Sequence, residues 1–202
     1  KGGARISAIA FGIGQYGYVG TGYNGNYQKD FYRFDPQAAA GQQWEIVNGF
    51  GGQKRQGGTS FVIDDKAYIC CGVNNGSYVY DFWCFDPSTG VFTQLRDIAD
   101  TSDDDYDDDY TSIVRANAVS FVIDGKGYLV TGEYGSLLSN YWIYDPATDL
   151  WEGEDLTAFE GSVRKNAVAF STGTRGFVVT GQASSSYYDD TWELSPYEYE
   201  EE

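Results

Sequence analysis

This 202-residue chain has four prolines, and each closes the same short segment. The segments read D-F-Y-R-F-D-P up to Pro36, D-F-W-C-F-D-P up to Pro87, N-Y-W-I-Y-D-P up to Pro146 and D-T-W-E-L-S-P up to Pro196. Other landmarks recur in register with them. An arginine opens each unit, at Arg5, Arg55, Arg115 and Arg164. Six residues on stand Phe11, Phe61, Phe121 and Phe170. Thirteen on stand Tyr18, Tyr68, Tyr128 and Phe177; seventeen on stand Gly22, Gly72, Gly132 and Gly181. The arginines are spaced by 50, 60 and 49 residues. A fixed register at this period describes a repeat array, in which neighbouring units bury faces that no unit can bury alone.

The third unit shows what one repeat folds into. Residues 116–123 (A-N-A-V-S-F-V-I) are small and β-branched, as a buried inner strand requires. Asp124-Gly125 is a two-residue hairpin signal. Residues 126–131 form a second strand that Gly132 ends, and after a polar loop 140–144 (N-Y-W-I-Y) form an aromatic third strand. Asp145-Pro146 begins a tight turn, and Leu150-Trp151-Glu152 begin a fourth strand. The unit is a four-stranded antiparallel meander, one propeller blade. The blades fall at about 1–52, 53–112, 113–161 and 162–202. The last reads Y-E-Y-E-E-E after Pro196 and is expected to lack an outer strand.

The repeat resembles the kelch motif: an inner strand, a second strand of G-Y-hydrophobic-hydrophobic-x-G type, an aromatic third strand ending in D-P, then an aromatic residue (Trp44, Phe92 or Trp151) on the fourth. The resemblance covers essentially the whole chain. One departure is consistent: the usual paired glycines are here Thr21-Gly22, Cys71-Gly72, Thr131-Gly132 and Thr180-Gly181. The chain is similar to a divergent, bacterial kelch subgroup. The resemblance implies an all-β propeller belonging to a six- or seven-bladed ring. Lys1–Arg5 align with Gly51–Arg55, so the expectation is the C-terminal part of such a ring, completed by upstream blades or another chain. A closed four-bladed ring is the alternative.

Composition narrows the partners. Net charge is −17, but eight Asp lie between Asp97 and Asp109 and four Glu between Glu198 and Glu202. The loop at 97–112 is thus an acidic insertion, which accounts for the long second repeat. Overall acidity argues against nucleic acid. No run of some 18 apolar residues predicts a membrane span. The insertion's carboxylates suit calcium in kind, but an EF-hand's spaced ligands, central Gly and distal Glu are missing; a solvated insertion is the expectation. Asn75-Gly76-Ser77 fits a glycosylation acceptor and equally an ordinary loop. Cys70, Cys71 and Cys84 are an odd set, read as small apolar residues, and a Cys70–Cys84 bridge is conceivable. They do not settle the compartment; an extracytoplasmic one, periplasm or cell surface, is the expectation.

The meander places the four arginines, the loops near Asn24, Asn74, Tyr134 and Ser185, the connection at 49–54 and the acidic loop on one face. Candidate ligand-binding residues there are Arg5, Arg55, Arg115, Arg164, Tyr23, Tyr78, Tyr134 and Tyr187. The arginines carry two readings: guanidinium forks for an acidic ligand, as in kelch propellers similar to this one that hold acidic peptides, or internal struts repeated because every blade needs one. On the first, the acidic loop would lie over them as a displaceable competitor. The chain contains no His. That removes the imidazole ligands of a galactose-oxidase-type copper site and the usual general base near neutrality. No metal, cofactor or catalytic residue is assigned. The expected function is a non-catalytic propeller that binds a protein or a glycan; the alternative is a carbohydrate enzyme of the sialic-acid epimerase type, with catalytic residues partly outside this chain.

Overall fold

The computed structural model describes residues 2–153 and 156–196. None of these is helical, and none therefore forms a helix able to cross a membrane.

Blade one is β1 (Ile9–Ile13), β2 (Tyr16–Gly20), β3 (Phe31–Phe34) and β4 (Trp44–Val47). Blade two holds β5 (Thr59–Ile63) and β6 (Lys66–Cys70), a short ribbon of β7 (Val73–Asn74) and β8 (Ser77–Tyr78), then β9 (Trp83–Asp86) and β10 (Val91–Gln94). Blade three repeats this with β11 (Val119–Ile123), β12 (Lys126–Val130), the ribbon β13 (Glu133–Tyr134) and β14 (Ser136–Leu137), β15 (Tyr141–Asp145) and β16 (Leu150–Glu152). Blade four has β17 (Val168–Ser171), β18 (Gly176–Val179), the ribbon β19 (Gln182–Ala183) and β20 (Ser186–Tyr187), and β21 (Thr191–Leu194). Blades one to three are four-stranded antiparallel meanders, and blade four has three strands among the described residues. The expected absence of an outer strand at 197–202 falls outside them.

The register follows from the landmarks. Phe61 pairs with Tyr68 and Phe121 with Tyr128 across the inner hairpins, each pair stacked. The hairpin residues Asp124 and Gly125 both have positive φ, as a type I′ turn demands. Each stacked pair faces the next blade, where a small residue waits on the second strand. A Cβ on Gly127 would collide with the Phe61 ring, and one on Gly176 with Phe121. The third-strand tryptophans lie between blades. Trp83 meets Phe50, Trp142 meets Tyr110 and Trp192 meets Phe159, each edge to face and each across an inter-blade connection.

A second device joins the blades. Ser7, Gly57, Asn117 and Asn166, each two residues after its arginine, all have positive φ. Their peptide groups form one ladder: Gly57 N–H donates to the Ser7 carbonyl, Asn117 N–H to Gly57 and Asn166 N–H to Asn117, at 2.9, 2.8 and 3.0 Å. Inside it, Ala10, Ser60, Ser120 and Ala169 help line a central cavity of about 490 Å³. Contacts run from blade one through to blade four, and among the described residues none covers the outward faces of blades one and four. Phe170 is 50 % exposed, where Phe61 and Phe121 are buried. Gly17, the counterpart of Gly127, meets no ring from another blade.

Candidate functional site

The repeat-opening arginines sit where the second strand of each blade ends. Arg5 donates to the Thr21 carbonyl at 2.9 Å and pairs with both oxygens of Asp30. Arg55 donates to the Cys71 carbonyl and pairs with Asp81. Arg164 donates to the Thr180 carbonyl at 2.9 Å and forks onto Asp190. Arg115 donates to the Thr131 carbonyl, but the carboxylate position is Asn140. Each arginine's own carbonyl, in Arg55, Arg115 and Arg164, accepts the N–H of Gly22, Gly72 or Gly132 of the preceding blade. The side chain thus braces one blade while the backbone ties it to its neighbour.

Electrostatics follow. The guanidinium of Arg164 holds the Asp190 carboxyl down at about 2, mainly through their hydrogen bond. Arg5 lowers Asp30 in the same way. Burial pulls Arg115 down to about 10, with no carboxylate to oppose it. Arg55, Arg115 and Arg164 are completely buried. Offered by the sequence as ligand groups, they are hidden beneath the loops with their donors engaged inside the blade.

The candidate tyrosines lie above them. Tyr187, on β20, is 80 % exposed, and Tyr134, on β13, is 51 % exposed. Tyr78 packs its ring 4.6 Å from Tyr134 and accepts the Gly135 N–H through its hydroxyl at 2.9 Å, joining two ribbons across blades. Tyr23 pairs edge to face with Tyr27. With Asn26, Lys54, Asn74 and Asn75 these two line a pocket of about 180 Å³. The loops near Asn24, Asn74, Tyr134 and Ser185 do share the face of the arginines, because residues just past each arginine bridge to residues just past each glycine. The ribbons stiffen loops that the sequence reads only as polar. The aromatic residue five before each arginine, Phe50, Tyr110 or Phe159, also escapes the sequence reading, although the spacing is constant.

The acidic loop is anchored between blades two and three. Ile98, Tyr110 and Ile113 are buried in the core shared by blades two and three. The Tyr110 hydroxyl accepts the Trp151 N–H at 2.8 Å, and Arg96 reaches the Thr148 carbonyl and Asp149 in the far turn of blade three. The loop therefore packs against the outer strands of blade three. The anchors fix the margins of the insertion, while six of its eight Asp are exposed as a solvated insertion requires; the expected competitor over the arginines is corrected, because Arg55, Arg115 and Arg164 are buried and offer no exposed guanidinium. Asp107 is buried and accepts from Thr101 N–H, Ser102 N–H and Ser102 Oγ. These hydrogen bonds hold its carboxyl below the usual range. Asp100, Asp107 and Asp108 bring carboxylate oxygens within 4.8 Å of one another. All three cysteines are free thiols, so Cys70 and Cys84 are not bridged.

Blades, joints and arginine braces together define an all-β propeller array. The Kelch motif model matches residues 54–97, the heart of blade two. The solved structure of YjhT is similar, with a TM-score of 0.70 at 18 % identity. The match covers 95 % of this chain and 66 % of that one. No curated protein matches by sequence. The chain is an all-β propeller array of four blades with a Kelch motif in blade two, and it spans about two thirds of the length of YjhT.

Proposed function

We propose that the chain is a non-catalytic recognition module that binds a protein or a glycan through the face bearing the ribbons. The observation that carries this reading is the pairing of exposed tyrosines with rigid supports. Tyr134 and Tyr187 offer apolar rings with a polar tip, held on hydrogen-bonded ribbons. Tyrosine with Asn, Ser and Gly gives large contact area at low entropic cost, together with adaptable hydrogen bonds. Arg5, Arg55 and Arg164 are held by their own carboxylates and Arg115 by Asn140, which favours recognition over the epimerase-type alternative. In the assembled protein the free face of blade one, with its vacant Gly17 position, and the exposed Phe170 of blade four suit further blades of the same kind.

A glycan array with neutral and sialylated ligands tests the reading. The double variant Tyr134→Ala, Tyr187→Ala should lose about tenfold or more in affinity with an unchanged melting temperature. Unchanged affinity removes the tyrosines from the site. Interconversion of sialic-acid isomers, followed by NMR, would favour the enzyme alternative.

A further inference from the structure

The acidic insertion builds a cleft that the tyrosine face does not use. It lies at the outer edge, against blade three, with a volume of about 220 Å³. Tyr106 and Tyr110 from the insertion and Trp142 and Trp151 from blade three supply its aromatic walls. Asp109 and Glu152, both exposed, complete the lining. Three walls are fixed: Tyr110, Trp142 and Trp151 are buried in one core, and Tyr110 is bonded to the Trp151 backbone.

The geometry points to this cleft as a binding site for an organic cation, the ammonium or guanidinium of a basic partner segment. Aromatic faces attract cations through their quadrupoles, and carboxylates nearby add direct charge. Asp109 lines the cleft and the insertion that forms its wall carries eight Asp in all, a net negative charge that favours cations over acidic ligands. The protein already places one guanidinium over one of these rings: Arg96 lies 4.6 Å from the Tyr106 centroid. The insertion then has a reason to be acidic and also to end in register, since Tyr110 must return to its regular place beside Trp142. A free quaternary ammonium shares this chemistry, and a neutral sugar stacked on the same rings is the competing occupant.

The test is a titration of the whole chain with an octa-arginine peptide, with tetramethylammonium and with methyl galactoside, at low and high salt. Tyr106→Ala should weaken peptide binding about tenfold. Asp109→Asn with Glu152→Gln should do the same, while Asp103→Asn with Asp104→Asn, an equal change of charge away from the lining, should weaken it less than about threefold. Circular dichroism should be unchanged in all three. Tighter binding of the peptide than of tetramethylammonium assigns the cation to a protein partner, and the reverse assigns it to a free quaternary ammonium. Equal losses from the two charge variants, no loss with Tyr106→Ala, or salt-independent binding of the galactoside alone would overturn the assignment.

Discussion

Arg115 donates from Nη1 to the carbonyl oxygen of Thr131 at 3.0 Å, and Thr131 is held at a φ of +63°. Thr21, Cys71 and Thr180 stand at the same place with positive φ, each with its carbonyl bonded to the arginine of its blade. Left-handed backbone costs a residue with a Cβ about 1–2 kcal/mol. Where paired glycines would adopt this turn freely, here an arginine fixes a residue that resists it.

Thr131→Gly should therefore stabilise the protein. It relieves the backbone and removes a buried hydroxyl that has no partner. Against this stands the greater entropy of glycine in the unfolded chain. We expect a gain of about 1 kcal/mol in thermal unfolding. Gly132→Ala should do the opposite, since a Cβ there would lie 2.8 Å from the Ala116 carbonyl oxygen. A fall in stability with Thr131→Gly would show that the methyl packing outweighs the strain.

Asn140→Asp should restore to Arg115 the carboxylate that the other three arginines have. Arg115 is buried and its pKa is pulled down to about 10 by that burial. A charged acceptor in place of the amide should add roughly 1–3 kcal/mol at neutral pH. Urea unfolding checks this, and equal or lower stability would mean that the bonds Arg115 donates to the Ser112 and Asn140 carbonyls already suffice.

Acid should weaken the blades in a defined window. Asp190 is lowered from 3.8 to about 2, first through its hydrogen bond with Arg164. A depressed folded-state pKa gives stability that is fully present above the unfolded value and is lost as pH falls through the folded one. The Arg164–Asp190 contribution should hold down to about pH 4 and fade toward pH 2. Asp190→Asn should lower stability at pH 7 and flatten that acid limb. An unchanged acid limb in denaturation midpoints would separate Asp190 from it.

The strands and hairpins were legible because period-two patterning and turn residues act locally, and four copies repeat the signal. Trp142 and Gly127 could be placed in a blade, but only the structure reveals what each meets. The ladder through Ser7, Gly57, Asn117 and Asn166 was not legible. Serine, glycine and asparagine look unrelated until one asks which residues tolerate positive φ. That the loops and the arginines share a face was legible; the arginines' partners were not. An arginine signals charge, and nothing local says whether its partner lies inside the blade or beyond it. The acidic loop misled for a related reason: eight Asp announce solvent, while the anchors Ile98, Tyr110 and Ile113 at its margins are few.

Trp142→Ala should cost about 3–5 kcal/mol through the cavity it leaves. Its ring packs against Tyr110 and Gly153, and its indole N–H reaches Ser112 Oγ at 3.3 Å. Chemical denaturation measures the loss. A loss below ~1 kcal/mol would mean that the connection collapses into the space.

The central claim is that the repeat arginines hold the fold and leave recognition to the tyrosines above them. Urea unfolding of Arg164→Ala and Tyr187→Ala, side by side at pH 7, tests it most directly. Removing Arg164 frees the Thr180 carbonyl, releases the partly exposed Asp190 to solvent and empties a buried site, and should cost about 2–3 kcal/mol. Removing the exposed Tyr187 ring should change stability by less than ~0.5 kcal/mol. Near-native stability of Arg164→Ala would contradict the claim and return the arginines to the list of groups available to a ligand.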